Sequence, residues 1–168
     1  MGYFRRVLVA VFGAASLIGA GTLSVAAHDR GTLVEFDSMT PVTGAAVATV
    51  NDRGIKGGGL PWVITSGRGE VDRNGDVDVQ VKGLIIVVAP VNGKNPVASM
   101  AATVSCVTPD GVVNVTTAGH PASLAGDVTI EDHVALPRHC KDPIVFVVNA
   151  GTGHAWFAMS SSEEEEED

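Results

Sequence analysis

Apolar and polar residues alternate most regularly between residues 62 and 88. Val77, Val79 and Val81 interleave with Asp76, Asp78, Gln80 and Lys82. That two-residue period belongs to a strand with one buried and one wet face. Residues 62–72 form a second β-rich run, and Arg73-Asn74-Gly75 between the two is a tight-turn signal. The pattern also sets the register. A two-residue Asn74-Gly75 turn would place Val71 opposite Asp78 and put Asp72 on the valine face. A three-residue loop places Val71 opposite Val77 and Asp72 opposite Asp76. A one-residue slip turns every side chain over, so the valines select the three-residue loop. Gly75 then takes the position of positive φ, where glycine has no steric penalty. Past Gly83 the alternation stops. Residues 84–88 are continuously apolar, the pattern of a strand covered on both faces inside a sandwich.

The same reading extends along the chain. Residues 32–37 alternate and predict a first strand, which Ser38-Met39-Thr40-Pro41 breaks. Residues 45–50 are small and apolar and predict a short second strand. Residues 51–59 are a loop ending in Gly57-Gly58-Gly59. Residues 90–96 are turn-rich. Residues 97–107 predict a strand with Ala98, Met100, Ala102, Val104 and Cys106 on one side, followed by a Pro109-Asp110-Gly111 turn and a partner over 112–117. In residues 128–136, Val128, Ile130, Val134 and Leu136 share a face with Asp132, an odd member that marks a sheet edge or a bulge. Residues 144–148 and 154–159 supply the last two strands, with Trp62, Phe146, Trp156 and Phe157 as large core fillers. Long helical periodicity is missing. About eight or nine strands predict an all-β chain: a single-domain antiparallel β-sandwich, immunoglobulin-like or jelly-roll-like.

The two ends read differently. Arg5 and Arg6 precede an apolar stretch, and Val25-Ala26-Ala27 is a small-residue cleavage site. Residues 1–27 are therefore expected to be a signal peptide, with the mature chain starting at His28 and secreted. The alternative is an uncleaved anchor through residues 7–27, which is about long enough to span a bilayer. Residues 28–159 form the expected domain, and residues 160–168 an acidic tail that predicts disorder. The formal charge of −8 overstates the acidity of the folded part. Without the six acids of residues 163–168 and the two leader arginines, thirteen acids face nine bases. No basic stripe is present, which argues against a nucleic-acid partner. Two cysteines, Cys106 and Cys140, fit one disulfide in an exported protein, closing a loop of roughly 35 residues and contributing about 3 to 4 kcal/mol. Their number excludes a CxxC redox centre and a four-cysteine zinc site.

Candidate chemistry is sparse. The glycine run 57–59 leads into an apparent strand, not the helix N-terminus that a phosphate cradle needs. Asp72, Asn74, Asp76 and Asp78 superficially resemble a calcium loop, but glycine comes fourth rather than sixth, and position twelve is Gly83 rather than glutamate. A solvated turn accounts for these residues, with a weak calcium site as the alternative. His28, His120, His133, His139 and His154 lack the short paired spacing of a zinc motif. If cleavage exposes His28, its amine and ring could chelate copper with a second histidine. No Gly-x-Ser-x-Gly elbow occurs, and paired catalytic acids cannot be read from a linear chain. Asn114-Val115-Thr116 matches a glycosylation acceptor, a three-residue pattern short enough to recur by coincidence.

Several segments together carry a resemblance. Gly58-Gly59-Leu60-Pro61-Trp62-Val63-Ile64, Asn95-Pro96-Val97, Val104-Ser105-Cys106, Gly126-Asp127, Leu136-Pro137 with Cys140, Pro143-Ile144-Val145-Phe146-Val147 and Trp156-Phe157-Ala158 are similar to uncharacterised secreted proteins of actinobacteria and other soil bacteria. The resemblance covers about residues 36–158, excludes the acidic tail, and implies a bacterial exported β-protein with no catalytic residue to carry over. The expected function is that of a secreted or cell-surface, non-enzymatic β-sandwich with binding or structural duties toward an extracellular ligand. The competing expectation is an extracellular copper protein built on His28.

Overall fold

A computed structural model of the chain describes residues 31–151 and 153–161. The expected signal peptide, His28 and residues 162–168 of the tail lie outside the described residues. The body is all-β. Its strands, in chain order, are β1 (Thr32–Phe36), β2 (Met39–Pro41), β3 (Ser66–Asp72), β4 (Asp76–Lys82), β5 (Ser99–Thr108), β6 (Gly111–Thr116), β7 (His120–Pro121), β8 (Val128–His133), β9 (Lys141–Asn149) and β10 (Trp156–Ser160). They form two antiparallel sheets. One has the order β1-β3-β4-β8. The other runs β2-β10-β9-β5-β6, with β7 also paired to β5.

The β3–β4 hairpin has the register that the valines select. Val71 pairs with Val77, Gly75 N–H donates to the Asp72 carbonyl, and Gly75 sits at φ 101°. A Cβ there would collide with the Val134 carbonyl oxygen, so both the turn and its neighbour demand glycine. Val71, Val77, Val79 and Val81 point inward with Val128 and Ile130. From the other sheet Met100, Ala102, Val104, Val145, Val147 and Ala158 meet them in one continuous core. Face-to-face burial of these rows is what holds the layers together.

Cys106 and Cys140 are bonded, with Cα atoms 4.7 Å apart. The bridge ties β5, which has a neighbour on each side, to the segment just before β9. Trp62, Phe146, Trp156 and Phe157 are all buried. Trp62 stacks on Phe157 at 4.3 Å between ring centroids, and Phe146 meets Trp156 edge-on at 5.8 Å.

Three expectations are corrected. Residues 45–50 are not a strand: Gly44–Ala46 is a turn of 3-10 helix, and Val50 makes one bridge, to Lys56. Residues 62–64 and 84–88 are not the long outer arms of the hairpin. Val63 makes one bridge to Ile85, and Ile86 one to Lys94. Leu84 and Ile86 are buried all the same, so an apolar run here fills the core without joining a ladder. Residues 38–41, expected to break the first strand, instead supply β2, which crosses to the other sheet and pairs with β10.

The long excursion between β2 and β3 has a single use. Lys56 and Gly57 run along the edge at Trp156: Trp156 N–H donates to the Lys56 carbonyl, and Gly58 N–H to the Trp156 carbonyl. Farther out, Asn114 of β6 donates its side-chain amide to the Arg53 carbonyl, and the Arg53 guanidinium donates to the Asp142 carbonyl. The excursion therefore crosses the outer face of the larger sheet from β10 to β6 and covers it. A Cβ at Gly57 would strike the Ala46 carbonyl, and one at Gly58 would press on Trp62 and Phe157, so these two glycines are spent on close packing.

Candidate functional site

Among the described residues, the smaller sheet has no such cover. Its outer face carries Glu35 on β1, Glu70 on β3, Asp78 on β4 and Glu131 on β8. These are register partners in turn: Glu35 with Glu70, Glu70 with Asp78, Asp78 with Glu131. One carboxylate from each of the four strands thus stands in a single row. Strands are about 4.8 Å apart, so the row is about 14 Å long. Glu35, Glu70, Asp78 and Glu131 are not sunk into the core. Thr32 Oγ1 donates to Glu70 Oε1 at 2.8 Å. Among the described residues, none of the four has a Lys or Arg ion pair. Arg68, in the next row of the same face, donates instead to Gln80. Asp72 and Asp76 extend the acidic surface toward the hairpin turn, where a depression of about 330 Å³ is lined by Val77 and by acids that include Glu70, Asp72, Asp76, Asp78 and Glu131.

The acids of the calcium-like segment fall within this surface, yet they are not gathered around one point. Asn74 donates its amide to Asp76 Oδ2, and His133 Nδ1 is 3.0 Å from Asp76 Oδ1. Among the described residues, no three His, Cys, Asp or Glu side chains converge as ligands for a metal ion. The histidines are scattered. His120 lies on β7, His133 ends β8, His139 is exposed before Cys140, and His154 Nδ1 is 3.2 Å from the Asn149 carbonyl.

Asp132, the odd member of its strand, is explained by position. It sits on β8, the edge of the smaller sheet, with its side chain toward the sandwich. Its carboxylate accepts from His133 N–H and Ala118 N–H, both at 2.8 Å, and lies 3.6 Å from His120 Nε2. Ala118 lies in the short link between β6 and β7, both of the other sheet, so Asp132 fastens the two sheets at this end. The His133 N–H, then the Ala118 N–H, hold its carboxyl below the usual aspartate range, and His120 adds to the effect.

The alternation in the sequence puts Asp78 and Glu131 on wet faces, but it does not show the row. The hairpin register alone contained a signal, since Val71 opposite Val77 puts Glu70 opposite Asp78. Compared with known proteins, the chain matches no family model, no curated protein and no solved structure. No helix among the described residues is long and apolar enough to cross a membrane.

Proposed function

We propose that the chain is an exported, non-enzymatic binding module whose contact surface is the acidic outer face of the smaller sheet. The observation that carries this is the row Glu35–Glu70–Asp78–Glu131. Like charges set directly opposite one another across a sheet destabilise it, so the row opposes folding and gains from a cation laid along it. A point ion would bridge two of these carboxylates at most. A row of about 14 Å suits an extended basic segment, whose alternate side chains repeat at about 6.8 Å. The partner proposed is therefore a lysine- or arginine-rich peptide segment, recognised by charge and held by a rigid surface.

Export is supported by the leader with its small residues before His28, and the Cys106–Cys140 bridge is compatible with an oxidising compartment. The bacterial secreted family that the motifs resemble supports the same placement. The binding test is titration of octalysine into the protein at low and moderate salt. Binding should weaken steeply with salt and be lost in a variant carrying E35Q, E70Q, D78N and E131Q. Equal binding by that variant overturns the proposal. The copper reading rests on His28, outside the described residues; N-terminal sequencing of secreted material and metal analysis decide it.

A further inference from the structure

The covered face of the larger sheet holds a second feature, independent of the acidic row. Arg53 is 9% exposed. Its guanidinium is charged at all ordinary pH and offers five N–H donors. Nη2 donates to the Asp142 carbonyl at 2.9 Å, but Nη1 is buried and meets no acceptor among the described residues. The ion pairs among the described residues are His120–Asp132 and His133–Asp76, so no described carboxylate neutralises Arg53. Ser105 Oγ is likewise buried without a partner, in a residue with no exposed surface.

Register brings these two groups together. Ser105 lies between Asn114 on β6 and Ile144 on β9. Asn114 donates to the Arg53 carbonyl on the β6 side. The guanidinium reaches Asp142, two residues before Ile144, on the β9 side. Arg53 therefore spans β5 at the level of Ser105. Trp156 Nε1 is also buried and unpartnered, but no register relation places it beside Arg53.

Buried polar atoms almost always have partners, and a buried cation without a counter-charge is strongly unfavourable. Here a fixed positive charge and a hydroxyl, each buried without a partner among the described residues, lie at one level on the covered side of β5. We propose that Arg53 Nη1 and Ser105 Oγ form a buried site for a small inorganic anion of halide size, closed over by the excursion that carries Arg53. A single-atom anion needs few donors. Tetrahedral oxyanions call for a fuller set than this pair supplies.

Two measurements test it. In crystals of the full chain equilibrated with bromide, an anomalous peak is expected in contact with Nη1 and Oγ. In solution, chloride should raise the melting temperature above that in gluconate at equal ionic strength, by about 3 °C at roughly ten times the dissociation constant. The Ser105→Ala variant should keep the fold and need more chloride for the same rise. It carries the argument in solution if Arg53→Met fails to fold. A map with a water oxygen and no bromide beside Arg53, or identical melting in the two salts, overturns the site.

Discussion

The two sheets share a core but treat their outer faces in opposite ways. On β4 the inward valines alternate with Asp76, Asp78, Gln80 and Lys82, and that outward row meets water. On β5 and β9 both faces are buried: Met100, Val104, Val145 and Val147 point to the core, while Ala101, Thr103, Ser105, Phe146 and Val148 lie on the other side. The difference is the excursion between β2 and β3, which lays Arg53 and Ile55 over the larger sheet. A sheet face open to water can present charge to a partner. A face under a cover must satisfy or neutralise whatever polar groups it holds, and so becomes part of the interior.

The sharpest way to break this contrast is to shorten one outward side chain on each sheet. Phe146→Ala empties a site beneath the cover and should cost about 3 to 5 kcal/mol, as in an ordinary core. Gln80→Ala on the open face should cost no more than about 0.5 kcal/mol. Urea unfolding of both variants measures the gap. A loss below about 1 kcal/mol for Phe146→Ala would show that the excursion does not seal this face. Next in size is the disulfide. Replacing Cys106 and Cys140 together by alanine should cost about 3 to 4 kcal/mol, chiefly through the freedom returned to the unfolded chain. An unchanged unfolding midpoint in reducing and oxidising buffer would refute that.

What could be read from the chain divides along the same line. The β3–β4 register was legible because strict alternation fixes which residues face inward, the β5–β6 turn because of its Pro-Asp-Gly, and the aromatic fillers because of their size. Residues 84–88 misled for a physical reason. Burial makes a run apolar whether or not it joins a ladder, and Leu84 and Ile86 are core residues with hardly any strand pairing. The strands β2 and β7 are three and two residues long, too short to show a period. The acidic row was hidden because two of its three links join strands far apart in the sequence, Glu35 with Glu70 and Asp78 with Glu131. Arg53 gave no sign of burial, since an irregular cover has no repeat to reveal its inner side.

Asp132 tests the seam between the sheets. Asp132→Ala would leave the exposed N–H groups of Ala118 and His133 to water and should cost about 0.5 to 1.5 kcal/mol. The acid dependence has a definite sign. The folded-state pKa lies below the ordinary aspartate value of 3.8, so this contribution is fully present above about pH 4 and is lost as the pH falls through the folded-state value. Asp132→Asn keeps one acceptor oxygen and removes that proton uptake. Stability curves of the wild type and Asp132→Asn should converge as the pH drops below about 4 and separate above it. Parallel curves would remove Asp132 from the account of acid sensitivity.

The smallest effect probes the open face most directly. If Glu70, Asp78 and Glu131 repel one another across β3, β4 and β8, then Asp78→Asn, at the middle of the three, should stabilise the protein by up to about 1 kcal/mol at low salt. The gain should fade as added salt screens charges more than about 8 to 10 Å apart and weakens the nearer pairs as well. The same change removes a central contact for a basic partner, so stability should rise while octalysine affinity falls. That opposed movement separates a binding surface from an ordinary wet one. On an ordinary wet face Asp78→Asn would leave affinity for the cation where it was, and the in-register acids would then be a cost of the sheet with no return in recognition.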